Sequence, residues 1–153
     1  MTSVVELKWK KLHAAAELPR IASAGAACFD LTAALDAPLT MKPGEIHFVP
    51  TGLAVEIPLN FEMQLRARSG LAAKFGFMLV NGIGTIDADY RGEIKVIATL
   101  VGNKELVIQS GDRICQALVA PVLPVVHVEA SELSGTERGE KGFGSTGFSK
   151  GTL

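Results

Sequence analysis

The sequence predicts an all-β fold, and three observations carry that prediction. Sixteen glycines and seven prolines interrupt the chain at short intervals. The runs between them are short and often alternate apolar with polar residues. Only one stretch, Gly70 to Phe75, looks helical, and it is brief. Closely spaced turn residues around period-two runs suit a sandwich or barrel, because successive side chains on a strand point to opposite faces.

Taken in order, the candidate strands begin with Val5 to Leu12. Ile46 to Ile57 supplies two, divided at Pro50-Thr51-Gly52. In Glu62 to Arg68, Met63, Leu65 and Ala67 share one face and Glu62, Gln64, Arg66 and Arg68 the other, so one face is core. Ile94 to Val101 follows, with Ile94 and Val96 inward and Glu93 and Lys95 outward or into a cleft. Arg113 to Val119 and Val125 to Glu129 complete the set. Beyond Glu129 the chain is rich in Gly, Ser, Thr and charge without an apolar period, which predicts a body over 1–129 and an extended, flexible arm over 130–153.

At 153 residues, 48% apolar and 20% charged, the chain is one globular domain's worth. A net charge of −1 provides no global field for nucleic acid or an anionic membrane, so neither is expected as a partner. A polyanionic ligand would need a local basic cluster. No apolar run reaches the length of a membrane span, and Met1 to Lys11 lacks the core of a signal peptide, which leads to a cytoplasmic expectation. Cys28 and Cys115 have no metal-ligand spacing and are expected to be two packed thiols.

The densest turn chemistry lies in Asn81 to Glu93. Asn81-Gly82 favours a type I′ hairpin, and Gly84 lets backbone approach a bound group. If Ile86 to Tyr90 is extended, Asp87 and Asp89 share one face and Ala88 and Tyr90 the other, so two carboxylates and a phenol border one hairpin. Alone, such a stretch reads more readily as a surface hairpin with solvated acids.

Four further stretches invite a functional reading. In Ala24 to Leu31, small residues crowd Asp30. Arg68-Ser69-Gly70 opens the short helix, with Ser69 placed to cap it and Arg68 beside free N–H groups that suit phosphate. Asp112 and Arg113 are expected to form an ion pair at a turn entering a strand, where Gln116 interrupts an apolar run and needs a partner. Arg138 to Gly147 sets Phe143 among glycines, so that backbone amides could surround phosphate while the ring lies on a base. No Ser-His-Asp set, zinc signature or Walker-type loop is present, and His13, His47 and His127 have no catalytic spacing. What remains suits metal-assisted attack of water on a phosphoryl group.

These five stretches, in this order, resemble the motifs of the trimeric deoxyuridine triphosphate nucleotidohydrolases, the dUTPases. The resemblance implies a jelly-roll-like β fold with one short helix, a homotrimer with shared active sites, and Mg²⁺-assisted hydrolysis of dUTP to dUMP and pyrophosphate. It makes Asp87 the general base, places Tyr90 beneath the deoxyribose, and gives uracil recognition to Asn81 with Gly84, Thr85 and Ile86. Lys95 would lie close to the nucleotide. Arg68, Ser69, Gly70 and Gln116 would hold the phosphates, and Asp30 would act on Mg²⁺ through water. Arg138, Phe143, Gly144, Ser145 and Thr146 would form a lid that reaches another subunit. Where the family usually carries Gly-Tyr, this chain has Cys28-Phe29. Two competitors are a dCTP deaminase of the same superfamily, which needs a glutamate base near the pyrimidine amine, and a non-catalytic nucleotide-binding module that regulates a partner.

Overall fold

Alternation places strands correctly through most of the chain, and the structure turns them into a sandwich. The computed structural model describes residues 4–142. In chain order the strands are β1 (Lys8–Lys11), β2 (Arg20–Ile21), β3 (Phe29–Thr32), β4 (Leu39–Met41), β5 (His47–Pro50), β6 (Leu53–Glu56) and β7 (Phe61–Arg66). The helix α1 (Ser69–Phe75) leads to β8 (Phe77–Leu79), β9 (Gly84–Ile86), β10 (Lys95–Leu100), β11 (Leu106–Ile108) and β12 (Arg113–Pro121). One sheet has the order β2-β3-β12-β7-β9, a second β5-β10-β8, and two pairs, β1-β6 and β11-β4, complete the walls. Every ladder is antiparallel.

Between the sheets lie Leu31, Met41, Val49, Leu53, Met63, Leu65, Phe77, Leu79, Ile94, Val96, Leu100 and Ile114, all buried. Truncating one of the leucines to alanine would cost roughly 2–5 kcal/mol, transfer plus cavity. The break at Pro50-Thr51-Gly52 is held from inside. The buried Thr51 hydroxyl donates to the Ile94 carbonyl at 2.7 Å and accepts from the Leu53 amide. Gly52 has φ +65° and faces the Cβ atoms of His13, Ala34 and Ala16, so no side chain fits there.

β12 is the strand that organises the candidate site. It pairs with β3 on one side and β7 on the other, which sets Gln116 opposite both Asp30 and Arg66. Its register against β3 shifts between Arg113 and Cys115, and that irregularity lets consecutive Ile114 and Cys115 both be buried.

Several local expectations fail for non-local reasons. Asn81-Gly82 does not make a type I′ hairpin, because the strands on either side join different sheets, β8 to β10 and β9 to β7. Instead the Gly82 amide donates to the Leu79 carbonyl, and the Ile83 amide donates to the Asn81 carbonyl across Gly82, whose φ is +71°. Ser69 does not cap α1; it is the first helical residue, Arg68 precedes it in extended conformation, and no side chain caps the end. Val125 to Glu129 forms no strand and is exposed, joining no ladder among the described residues. Among the described residues, no helix is long and apolar enough to cross a membrane.

Candidate active site

Strand ends and the start of α1 gather Asp30, Arg68, Ser69, Gly70 and Gln116 around one cavity of about 440 Å³, together with Cys28 and Arg113. Asp30, on β3, is the one acid on its wall. Its Oδ1 lies 3.0 Å from Arg68 Nε and its Oδ2 3.2 Å from Arg113 Nη1. The expected pairing of Arg113 with its neighbour Asp112 does not form: the Asp112 carboxylate accepts the Gln109 amide at 2.8 Å, while β3 brings Asp30 to Arg113 from 83 residues away. Gln116 finds the partner that its polarity demanded, donating from Nε2 to the Ala67 carbonyl at 3.0 Å. Two guanidiniums against one carboxylate leave the cavity with excess positive charge, and exposed Ser69 and Gly70 open onto it. Beneath it, burial and then the charge of Asp30 push the Cys115 thiol up to about 12. Cys28 is half-buried in the wall, so only Cys115 is the packed thiol that was expected.

A second cavity, about 370 Å³, is lined by Phe48, Thr85, Ile86, Asp87, Tyr90, Glu93, Lys95 and Ile97. Residues 87–90 are not extended here. The Tyr90 amide donates to the Asp87 carbonyl at 3.1 Å, closing a turn that Arg91 clamps by donating to the Ala88 and Tyr90 carbonyls. Asp87 and Asp89 therefore do not share a strand face, and of the two only Asp87 lines the cavity. The Tyr90 hydroxyl donates to the Glu93 carbonyl at 3.0 Å, which fixes the ring. Glu93 accepts the Gly52 amide on Oε1 and holds Lys95 at 3.3 Å on Oε2. By contrast, the Asp87 carboxylate is exposed and accepts no hydrogen bond among the described residues.

Asn81 sits exposed in its turn and lines neither cavity, and Gly84 is buried against Leu65, where a Cβ would come within 3.2 Å. Arg138 is exposed and donates to the Lys141 carbonyl; Phe143, Gly144, Ser145 and Thr146 lie outside the described residues. Sequence reasoning missed Arg113 as a site residue because its acidic neighbour offered a simpler partner. It also missed Phe48 and Ile97, which read as ordinary strand residues.

The donor set bears on metal binding. Among the described residues no three His, Cys, Asp or Glu side chains are arranged to hold an ion. A single carboxylate beside a phosphate-sized basic cavity suits a hydrated Mg²⁺ whose remaining ligands come from triphosphate oxygens, and does not suit a protein-built cage.

Comparison with known proteins shows the family and the fold. The chain is 50% identical over 131 residues to the deoxyuridine 5′-triphosphate nucleotidohydrolase of Neorickettsia sennetsu, covering 86% of this chain and 88% of that one. Among solved structures, the dUTPase of Staphylococcus bacteriophage 80alpha with dUPNHPP superposes with a TM-score of 0.85 at 26% identity, covering 94% of this chain and 99% of that one. A mutant dUTPase of phage phi11 of S. aureus, described as coordinating a structural Mg(II) ion, has a TM-score of 0.76 at 20% identity over 83% of this chain and 97% of that one, a likeness of fold. The dUTPase family model matches residues 14–147, a span that contains every residue lining the two cavities, and the chain belongs to the dUTPase family.

Proposed function

We propose that the protein hydrolyses dUTP to dUMP and pyrophosphate, removing dUTP and supplying the precursor of dTTP. The observation that carries this reading is the unengaged carboxylate of Asp87 beside the fixed ring of Tyr90. In this reading Asp87 orients a water and takes its proton as the water attacks the α-phosphorus, and the bond from that phosphorus to the oxygen bridging the β-phosphate breaks to release pyrophosphate. Tyr90 packs under the deoxyribose where a 2′-hydroxyl would otherwise sit. Thr85 and Ile86 meet the base with Asn81 and Gly84 behind them, and Lys95 stands at the cavity edge. Arg68, the Ser69 hydroxyl, the Gly70 amide and Gln116 bind the phosphates in the basic cavity. Asp30 would hold Mg²⁺ through water, and the ion would supply positive charge against the triphosphate. The arm, with Arg138, Phe143, Gly144, Ser145 and Thr146, closes over the phosphates and excludes water.

The two cavities share no lining residue, which supports a site completed between copies of the chain. So does the outer face of the β5-β10-β8 sheet. There Phe48 and Met78 are exposed beside half-buried Ile97 and Thr99, opposite the buried Val49, Val96 and Ala98. Such a contiguous apolar face marks an interface, and a homotrimer covers it while joining one chain's nucleoside cavity to another's phosphate cavity. We place the enzyme in the cytoplasm, acting on a small-molecule substrate without nucleic acid or membrane.

Deamination of dCTP is disfavoured because Glu93, the glutamate in the nucleoside cavity, already binds the Gly52 amide and Lys95. Incubating the protein with dUTP or dCTP and Mg²⁺ separates the readings. Hydrolysis yields dUMP and pyrophosphate from dUTP, deamination yields ammonia from dCTP, and a regulatory module yields neither. Light scattering on the same sample reads the subunit number.

A further inference from the structure

Arg68 is held in place before any ligand arrives. Its Nε meets Asp30 Oδ1 at 3.0 Å, and its Nη1 donates to the main-chain carbonyl of Arg113 at 3.0 Å. That carbonyl lies beyond the β12–β7 pairing, which begins at Gln116, and next to the slip in the β3–β12 register between Arg113 and Cys115. Arg113 closes the ring from the other side, its own Nη1 lying 3.2 Å from Asp30 Oδ2. One residue thus anchors Arg68 twice, directly through its carbonyl and indirectly through the carboxylate that its side chain fixes. Among the described residues, Arg68 Nη2 has no protein acceptor and is left for a ligand oxygen.

We propose that Arg113 is a positioning residue for the phosphate-binding Arg68, acting through Asp30, so that Asp30 serves the guanidinium as well as any hydrated cation. This rests on the dUTPase reading of the cavity and deepens it. An unanchored arginine must give up rotamer freedom when it grips a phosphate, and a fork held at two of its three nitrogens has already done so. Burial agrees with the division of labour: the side chains of Asp30 and Arg68 are 21% and 26% exposed, whereas Arg113 is 57% exposed and stands at the rim. Asp30 between two guanidiniums also leaves one net positive charge for phosphate.

The test is a double-mutant cycle on Arg68→Ala and Arg113→Ala, with affinities for dUPNHPP and dUMP measured by calorimetry in Mg²⁺ and again in EDTA. Arg113→Ala is expected to weaken dUPNHPP about 10-fold, the loss of roughly one charge-assisted hydrogen bond. In the Arg68→Ala background the same substitution should change affinity by less than about 2-fold. The coupling should persist in EDTA, and dUMP should bind all four proteins comparably. Additive losses would mean that Arg113 grips phosphate itself, and coupling seen only with Mg²⁺ would mean that the ring works through the metal; either overturns the proposal. Arg113→Gln takes the place of the alanine variant if that one does not fold. A wild-type protein that binds neither nucleotide overturns the dUTPase reading as a whole, a result distinct from a cycle that closes additively.

Discussion

In the basic cavity, proposed for phosphate, the carboxylate of Asp30 is gripped by two guanidiniums at 3.0 and 3.2 Å, whereas in the cavity proposed for the nucleoside the carboxylate of Asp87 accepts no hydrogen bond among the described residues. On the proposed reading, the same side-chain chemistry serves opposite tasks. A group that must bind gains from being fixed, since its ordering cost is met during folding. A group that must take a proton in the reaction gains from an unoccupied lone pair aimed into the cavity. The backbone follows the same division: Asp30 lies within a ladder, and Asp87 opens a turn.

Asp87→Asn is the sharpest way to break this contrast. Turnover of dUTP should fall by at least roughly 10²–10⁴-fold, the range for a general base, while calorimetric affinity for dUPNHPP stays near that of wild type. Near-normal turnover would remove Asp87 from the chemistry. Ending the chain at Gly135 comes next. Residues 122–142 are exposed throughout, so the melting temperature of the ligand-free protein should be nearly unchanged. Turnover should fall about 10²-fold or more, since each charge-assisted bond from the arm contributes roughly 1.5–3 kcal/mol. Affinity for dUMP should be retained, and a fully active truncated protein would refute the lid.

A smaller effect is expected at the sugar. A Cβ on Gly92 would come within 2.6 Å of Tyr90 Cζ, so Gly92→Ala should displace the ring without straining the backbone. That variant and Tyr90→Ala should both lower the ratio of kcat/KM for dUTP over UTP, by about 10-fold, the order of one steric or packing contact. Gly92→Ala with an unchanged ratio would separate Tyr90 from sugar discrimination.

The smallest effect at neutral pH concerns Cys115 beneath the phosphate cavity. Its thiol is held up to about 12 from an ordinary value of 9.0, chiefly by burial. Below pH 9 the thiol is neutral in both folded and unfolded chains, and its stabilising contribution is fully present. Above pH 9 the unfolded chain ionises first, so stability should fall by about 1.4 kcal/mol per pH unit until the folded thiol titrates. Denaturant melts from pH 8 to 10.5 should show a shallower decline for Cys115→Ala than for wild type. Equal slopes would assign the decline to other groups.

Much of this was legible from residues alone. Short apolar runs bounded by turn residues are a local property, and they located β5, β6, β7, β10 and β12 to within a residue or two, with clean one-face burial in β10 and consecutive buried residues in β6. The five motif stretches likewise declared Asp30, Arg68 to Gly70, Asp87, Tyr90 and Gln116, and the structure sorts these into two cavities. Local pattern could not find β2, β4, β9 and β11, each only two or three residues long, because such strands exist only through their partners.

Pairing was decided by the tertiary structure alone. Arg113 has an acid one residue away and another 83 away, and the sheet chooses the distant one because β3 and β12 are neighbours. Asn81-Gly82 has the dipeptide of a hairpin, yet its flanking strands were claimed by different sheets. Val125 to Glu129 has the side chains of a strand yet pairs with none of the sheets among the described residues. A strand's backbone hydrogen bonds lie outside itself, so the sequence by itself determined which segments can be strands, and only the folded chain decided which segments they meet.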